Sequence, residues 1–343
     1  STPGFGPGSW GSNPCAPAKN NKILRNKALK IFSGRSNPKL ATAIAKNLNQ
    51  RLCKISIRTF ADGEIWVKYE ENIRGCDVFI IQSTNGPSEN IMELALMIDA
   101  AIRASADTVT VVIPYFGYGR QDRKDQPRVP ISSRVVVDIL TAMGTNRIIT
   151  LDLHSTQIQG FAKIPFDNLY SRSVILKAIE DEGFIPNDSV VLAPDMGSAK
   201  MSQGYAKNLG MHFALIDKRR FSPNQTQINH LIGDLKNLHV LIIDDMIDTA
   251  GTLVNAANAA LEQGAKSVTA IATHGVLSDP AIDRIEKSDI KKIIITDTIS
   301  IPKHKLIDKL KIMSVSGIFG QAVDRVHNGE SVSALFEYQK GEE

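Results

Sequence analysis

Residues 240–252, Val-Leu-Ile-Ile-Asp-Asp-Met-Ile-Asp-Thr-Ala-Gly-Thr, constrain the fold more than any other stretch. The apolar run 240–243 reads as a buried parallel strand. Asp244 and Asp245 follow where that strand is expected to end. A small, hydroxyl-rich turn, Asp248-Thr249-Ala250-Gly251-Thr252, then leads into an Ala-rich helical segment over 253–263. Strand, turn and helix in that order aim backbone N–H groups and a helix N-terminus at an anion. Thr249 and Thr252 add hydroxyl donors. Asp244 and Asp245 cannot favour a phosphate by charge, so they need another partner, and sugar hydroxyls or a metal-bound sugar fit. Carboxylates beside a phosphate cradle suggest a phosphorylated sugar. The plainer reading is an Asp-rich turn with a Thr capping the helix.

The same alternation runs through the chain from Ala28. Strands are expected at 29–32, 55–60, 65–69, 78–82, 108–114 and 147–153, and helices at 38–48, 90–104 and 132–143. The second half repeats the theme, with helices at 172–181, 198–208 and 253–263. Its strands are expected at 189–193, 212–217, 240–243, 267–273 and 292–296. Strands alternating with helices imply parallel sheets covered on both faces. The fold class is therefore α/β, with two doubly wound parallel-sheet domains. The seam is expected near Tyr170: a first domain over 28–170 and a second over 171–328, behind a tail at 1–27. In such sheets ligands collect at the carboxyl ends of the strands.

At 343 residues the chain can bury two cores, and 43% hydrophobic with 22% charged residues is ordinary for a globular protein. The net charge is +4, but Lys19, Lys22 and Arg25 lie in an acid-free stretch of 26 residues, so the body is nearly neutral. That argues against a general nucleic-acid surface. Cys15, Cys53 and Cys76 have no C-x-x-C spacing, which suits a reducing cytoplasm rather than a zinc or disulfide framework. No apolar run approaches the roughly 20 residues that span a bilayer, and residues 1–21, rich in Gly, Pro, Ser and Asn, are expected to be disordered. There is no G-x-x-x-x-G-K-[ST], no G-x-G-x-x-G and no G-x-S-x-G.

Other clusters fall at strand ends. Leu151-Asp152-Leu153-His154 places a His where it can ligate metal, contact phosphate or serve only a structural hydrogen bond. Asp195, in Ala193-Pro194-Asp195-Met196-Gly197-Ser198, is placed for a hard cation, while Gly197 and Ser198 allow close backbone approach to an anion. Asp217-Lys218-Arg219-Arg220 opens a polar stretch to Asn229 that reads as a mobile loop with cations at its root. Tyr118-Gly119-Arg120-Gln121-Asp122-Arg123-Lys124 is dense in charge, as triphosphate recognition requires, though a surface turn with internal ion pairs has the same composition. Phe60-Ala61-Asp62-Gly63-Glu64 reads as a tight turn between two strands.

Together these segments resemble ribose-phosphate diphosphokinases, the phosphoribosyl pyrophosphate (PRPP) synthetases, over about residues 29–338. The resemblance runs through Phe32-Ser-Gly-Arg-Ser-Asn-Pro38, Arg120–Lys124, Asp152-Leu-His154, Gln157-Ile-Gln159-Gly160, Asp167-Asn168-Leu-Tyr170 and Lys218–Arg220. It continues through Asp244–Thr252, Thr273-His274-Gly275 and Ser331–Phe336. It implies domains of the type I phosphoribosyltransferase kind and Mg²⁺-dependent transfer of the β,γ-diphosphoryl group of ATP to the C1 hydroxyl of ribose 5-phosphate, giving PRPP and AMP. It implies that Asp244 and Asp245 hold the ribose hydroxyls, Asp248, Thr249, Ala250, Gly251 and Thr252 hold the 5-phosphate, and His154 and Asp195 sit at Mg²⁺. Lys218 and Arg220 would close over the transferring group. Arg120, Gln121, Asp122 and Lys124 would bind ATP, and Phe60, Asp62 and Glu64 would reach adenine from a neighbouring subunit. A cytoplasmic hexamer built as a trimer of dimers is implied, with phosphate and ADP as effectors at a regulatory region of Gln157, Asp167, Asn168, Ser331, Ser333 and Phe336. A C-terminal strand over 329–338 would return to the first domain.

Departures from that family lie at Ser198 (usually Gly), Met201 (usually basic), Gly119 (usually Ala) and Arg35 (commonly Asn). A non-catalytic associated protein or a type I phosphoribosyltransferase is the alternative. Intact Lys218, Arg220, His154 and Asp244–Thr252 weigh against the first. A transferase would need no ATP and would lack this series of motifs.

Overall fold

The computed structural model describes residues 27–217 and 230–335. Its first half runs β1 (Leu29–Ser33), α1 (Pro38–Asn47), β2 (Ile55–Thr59), β3 (Ile65–Tyr69), β4 (Asp77–Ile81), α2 (Glu89–Arg103), β5 (Thr108–Ile113), α3 (Ser132–Ala142), β6 (Arg147–Leu151) and β7 (Phe166–Leu169). The second half runs α4 (Arg172–Asp181), β8 (Ser189–Ala193), α5 (Ala199–Leu209), β9 (His212–Asp217), β10 (His230–Ile232), β11 (His239–Ile247) and α6 (Gly251–Glu262). It ends with β12 (Ser267–Gly275), α7 (Ala281–Lys287), β13 (Ile290–Thr296), β14 (Leu310–Met313) and α8 (Ser316–Asn328).

Five strands form a parallel sheet in the order β1-β4-β5-β6-β7, and seven form a second in the order β10-β9-β8-β11-β12-β13-β14. Among the described residues only β10 runs antiparallel in the second sheet, and β2 with β3 make a separate antiparallel hairpin. The central strands are apolar on both sides because helices cover both faces: β4, Asp-Val-Phe-Ile-Ile, is buried along its whole length. Each sheet has a core on either side. Phe32, Val78, Ile80, Leu94, Ile98 and Leu140 fill one face of the first sheet. Among the described residues no helix is long and apolar enough to cross a membrane.

Two features correct the sequence expectations. The strand expected at 240–243 runs on to Ile247, so Asp244 and Asp245 lie inside β11 and not beyond it. β11 pairs with β8 only as far as Ile242↔Leu192, but with β12 as far as Ile247↔Gly275. Past Ile242 that edge of the strand has no β8 partner, although Ser202 Oγ donates to the Ile243 carbonyl at 3.1 Å, and the two carboxylates sit on this half-paired extension. The second correction concerns the chain's return to the first sheet. It is made by α8, whose Phe319, Ala322 and Val323 join Leu40, Ala41 and Ile44 of α1 in one buried cluster with Ile31 and Phe79. The part of 329–338 that is described carries a short 3-10 turn, Ser333–Leu335, where a strand was expected.

Candidate active site

The turn between β11 and α6 is built for an anion. Ala250 has φ 58°, a left-handed conformation uncommon for a residue with a Cβ, and no side chain caps the helix that follows among the described residues. The first-turn N–H groups of α6 therefore stay available. An Arg284 Nη1 donates to the Thr249 carbonyl at 2.9 Å and would lie 3.2 Å from a Cβ at Gly251, so a larger residue there would press on the cation. Thr252, at the second position of α6, is exposed. Burial opposes ionisation of Asp248, but hydrogen bonding from Ser278 and Arg120 outweighs it and holds that carboxyl below the ordinary range.

Next to this cradle the half-paired end of β11 presents a charge cluster. His154 Nδ1 lies 2.6 Å from Asp245 Oδ2, across the gap between the two sheets. The Asp245 N–H donates to Asp244 Oδ1 at 2.9 Å. Burial, then the charges of Asp245 and Asp195, push the Asp244 carboxyl far above the usual carboxylate range. Asp245 is buried too, but the hydrogen bond and charge of His154 hold it low. His154 is raised by the same bond, against its burial. Asp195 sits in the turn after β8, where Ser198 N donates to its Oδ1 at 3.1 Å.

Beneath His154 lies a polar seam that the sequence reading did not resolve into roles. Asp152 has φ 41°. Its Oδ2 accepts from Ser171 N at 3.1 Å and from Thr273 Oγ1 at 2.7 Å, and Ser171 Oγ and Thr273 Oγ1 are 2.8 Å apart. His274 Nε2 is 3.2 Å from the Asp152 carbonyl oxygen and its Nδ1 is 2.9 Å from Thr298 Oγ1. Burial drives the pKa of this histidine down, against the nearby Asp152. Ser83 Oγ donates to Thr298 O at 2.6 Å and Asn37 Nδ2 to Asp297 O at 2.7 Å, so the carboxyl ends of β1 and β4 are tied to the loop after β13. In the sequence this seam shows only as the motifs Asp152-Leu-His154 and Thr273-His274-Gly275 and as Asn37 in the segment from Phe32 to Pro38.

The charged loop after β5 is brought to the same place. Arg120 Nη1 donates to Asp248 Oδ2 at 2.7 Å, and Asp122 is close enough for its charge to raise His154. Gln121 instead anchors α3, its carbonyl accepting from Ser133 N and Oγ and its side chain from Ser132. Lys124 is exposed in the loop. The hairpin tip is a separate feature: Phe60 N donates to Glu64 O at 2.8 Å, Glu64 N to Asp62 Oδ1 at 3.0 Å, and Phe60 is 54% exposed. Lys218, Arg220 and the expected mobile loop lie outside the described residues, as does Phe336.

The remaining residues of the expected regulatory group come from the 3-10 turn after β6, from β7 and from the segment after α8. Asp167 and Asn168 are consecutive in β7 and so face opposite sides. Asp167 pairs with Arg147, whereas Asn168 Oδ1 accepts from Leu153 N at 2.9 Å, toward His154. Gln157 is exposed in a 3-10 turn. Ser333 N donates to Ser331 Oγ at 3.1 Å. A cavity of about 420 Å³ opens between the amino ends of β4 to β6 and the end of α8, lined by Asp77, Thr108, Arg147, His327 and Ser331 among others.

Comparison with known proteins adds a family context. Residues 29–144 match the model for the N-terminal domain of ribose phosphate pyrophosphokinase, and residues 219–337 match the phosphoribosyl synthetase-associated domain. The chain is 48% identical over 309 residues to the ribose-phosphate pyrophosphokinase of Fusobacterium nucleatum subsp. nucleatum, covering 90% of this chain and 98% of that one. It is 49% identical over 309 residues to the enzyme of that name from Chlorobaculum tepidum, covering 90% and 95%. The crystal structure of phosphoribosylpyrophosphate synthetase from Mycobacterium smegmatis superimposes with a TM-score of 0.83 at 37% identity, over 88% of this chain and all of that one.

Proposed function

The chain belongs to the ribose-phosphate pyrophosphokinase family, and from that premise we propose how its residues divide the work. On this reading the β,γ-diphosphoryl group of ATP passes to the C1 hydroxyl of ribose 5-phosphate, giving PRPP and AMP. The anomeric hydroxyl attacks the β-phosphorus of ATP, the bond from that phosphorus to the α-phosphate oxygen breaks, and the hydroxyl proton is released. Positioning and charge neutralisation dominate such a step.

The observation that carries the division of labour is the Arg120–Asp248 ion pair, which joins the charged loop of the first sheet to the phosphate cradle of the second. On this reading Arg120, Gln121, Asp122 and Lys124 hold the nucleotide's phosphates. The turn from Asp248 to Thr252 takes the 5-phosphate, with its free N–H groups at the start of α6. Asp244 and Asp245 accept from the ribose hydroxyls. Lys218 and Arg220 neutralise charge on the diphosphoryl group, and Phe60, Asp62 and Glu64 of one subunit bind adenine in the site of another.

The donor set fits Mg²⁺. Among the described residues no three His, Cys, Asp or Glu side chains are grouped to hold a metal unaided. Mg²⁺ binds through one or two carboxylates and the substrate's phosphates, and Asp195, beside the under-neutralised Asp244, offers such oxygens. Asp195 and His154, whose Nδ1 is taken by Asp245, would hold it, and bound there it would neutralise the triphosphate. A cytoplasmic hexamer built as a trimer of dimers, with phosphate and ADP as effectors, completes the reading, and so does a division into domains at 28–170 and 171–328. The cavity beside Ser331 supports an effector site near that residue.

The test is product analysis by ³¹P NMR with ATP, Mg²⁺ and ribose 5-phosphate, with and without inorganic phosphate. Equal amounts of AMP and PRPP, lost in K218A, are expected. No turnover from a folded protein that still binds either substrate would sink this division of roles and favour a non-catalytic relative.

A further inference from the structure

Arg35, in the loop after β1, joins a buried carboxylate to the exposed end of the β2–β3 hairpin. Glu93, on α2, is 1% exposed. Its carboxylate accepts from Arg35 N at 2.7 Å, from Arg35 Nε, and from Gln82 Nε2 at 3.0 Å. Gln82 is itself fully buried, and its Oε1 accepts from Ser36 N and Oγ at 3.0 and 2.7 Å. The loop after β1 packs so tightly on Gln82 that a Cβ at Gly34 would collide with it. The root of the Arg35 side chain is thus fixed. Its free end is not buried: the side chain is 45% exposed, and Nη1 reaches out to Thr59 Oγ1 at 2.9 Å.

Thr59 is the last residue of β2 and pairs with Ile65, directly below the tip that carries Phe60, Asp62 and Glu64. The other attachments of this hairpin lie further back. Ile55, Ile57, Val67 and Tyr69 pack on the core, and Tyr69 Oη donates to Met97 O at 2.8 Å. The nearest of these, Ile57 and Val67, lie two positions behind Thr59 and Ile65, roughly 7 Å along the strand. Beyond the Ile57–Val67 pair, and Arg35 apart, the two strands and their turn have only each other among the described residues, and such a ribbon can flex. The Arg35 guanidinium, planar and preorganised by a buried carboxylate, is the strut that stops it. An Asn at this position is too short to span Glu93 and Thr59.

We propose that Arg35 is a positioning residue for nucleotide binding, which braces the β2–β3 tip through Thr59 and so sets the affinity for ATP. The proposal rests on the reading that the tip binds adenine. The experiment compares T59V, R35K and F60A in the assembled enzyme by steady-state kinetics with each substrate varied. T59V removes only the outer link, at a strand position where Val is accepted, and R35K keeps a cation for Glu93 but cannot bridge. Both are expected to raise KM for ATP about three- to ten-fold, the net worth of one solvent-exposed hydrogen bond. Both should leave kcat and KM for ribose 5-phosphate within about two-fold. F60A should raise KM for ATP more. If F60A raises it and T59V and R35K do not, Arg35 is no brace and the proposal fails. If F60A is also silent, the adenine reading of the tip fails and takes the proposal with it. A parallel loss in kcat and both KM values in T59V would show a general structural role and would equally overturn it.

Discussion

His154 Nδ1 sits 2.6 Å from Asp245 Oδ2, although one residue follows β6 of the first sheet and the other lies in β11 of the second. The bond raises the histidine and lowers the aspartate, so the pair is charged over a wider pH range than either would be alone. Because the histidine's folded pKa lies above its ordinary 6.5, its contribution to stability is complete below that value and fades as pH rises through the raised one. D245N is expected to bring the His154 titration back toward or below 6.5. The histidine ring NMR signals of the free protein measure this.

Asp244 carries the opposite signature. Burial and like charges raise its pKa, so ionising it costs the folded state, and the cost begins as pH rises through the ordinary carboxylate range near 4. D244N should therefore stabilise the free protein at pH 8, by roughly 2 °C or more in Tm, while weakening ribose 5-phosphate binding at least ten-fold. Thermal melts and calorimetric titration read the two effects separately.

The Arg120–Asp248 pair predicts coupled losses. R120A should lower kcat/KM for ATP about 10²–10³-fold, as removal of one charged donor at a phosphoryl site does. Because Asp248 then loses a partner at the cradle, KM for ribose 5-phosphate should rise as well. A variant that affected ATP alone would show that the pair does not link the two substrates.

K218A and R220A test the residues that only sequence supports. Each is expected to reduce kcat about 10²–10³-fold with little change in the affinity for ribose 5-phosphate. Single-turnover formation of AMP under saturating substrates separates this from a binding defect.

Glu71 predicts acid behaviour far from the site. The Lys54 N–H, Lys30 and Arg51 together hold its carboxyl down to about 2. Its stabilisation is complete above about pH 4.5 and is lost as pH falls toward 2. E71Q should lower Tm by a few degrees at pH 7, and the difference from the parent should vanish near pH 2.

Much of this architecture was legible because buried parallel strands and their covering helices leave strong periodic patterns. β3 and α4 fall where their periodicity predicts them, and β8 is apolar from Val190 to Ala193. What escaped was short, polar or long-range. β7, Phe-Asp-Asn-Leu, is half polar, and β14 is a four-residue edge strand. α8 has apolar residues at helical spacing, but its partner α1 lies some 270 positions away, and no local pattern announces that. In the site, residue types pointed to the acids and the cradle. They did not reveal the positive φ of Asp152, the buried role of His274 or the extension of β11, because each depends on what a neighbouring strand leaves unpaired.

α8 also sets an order of events during synthesis. Val315, Phe319, Ala322 and Val323 close one face of a sheet whose first strand begins at Leu29. A ribosome must therefore translate almost the whole described chain before that face is covered. Until then Ile31, Leu40 and Phe79 lack their last apolar neighbours, and a nascent first half would be the species most prone to aggregate or to bind a chaperone.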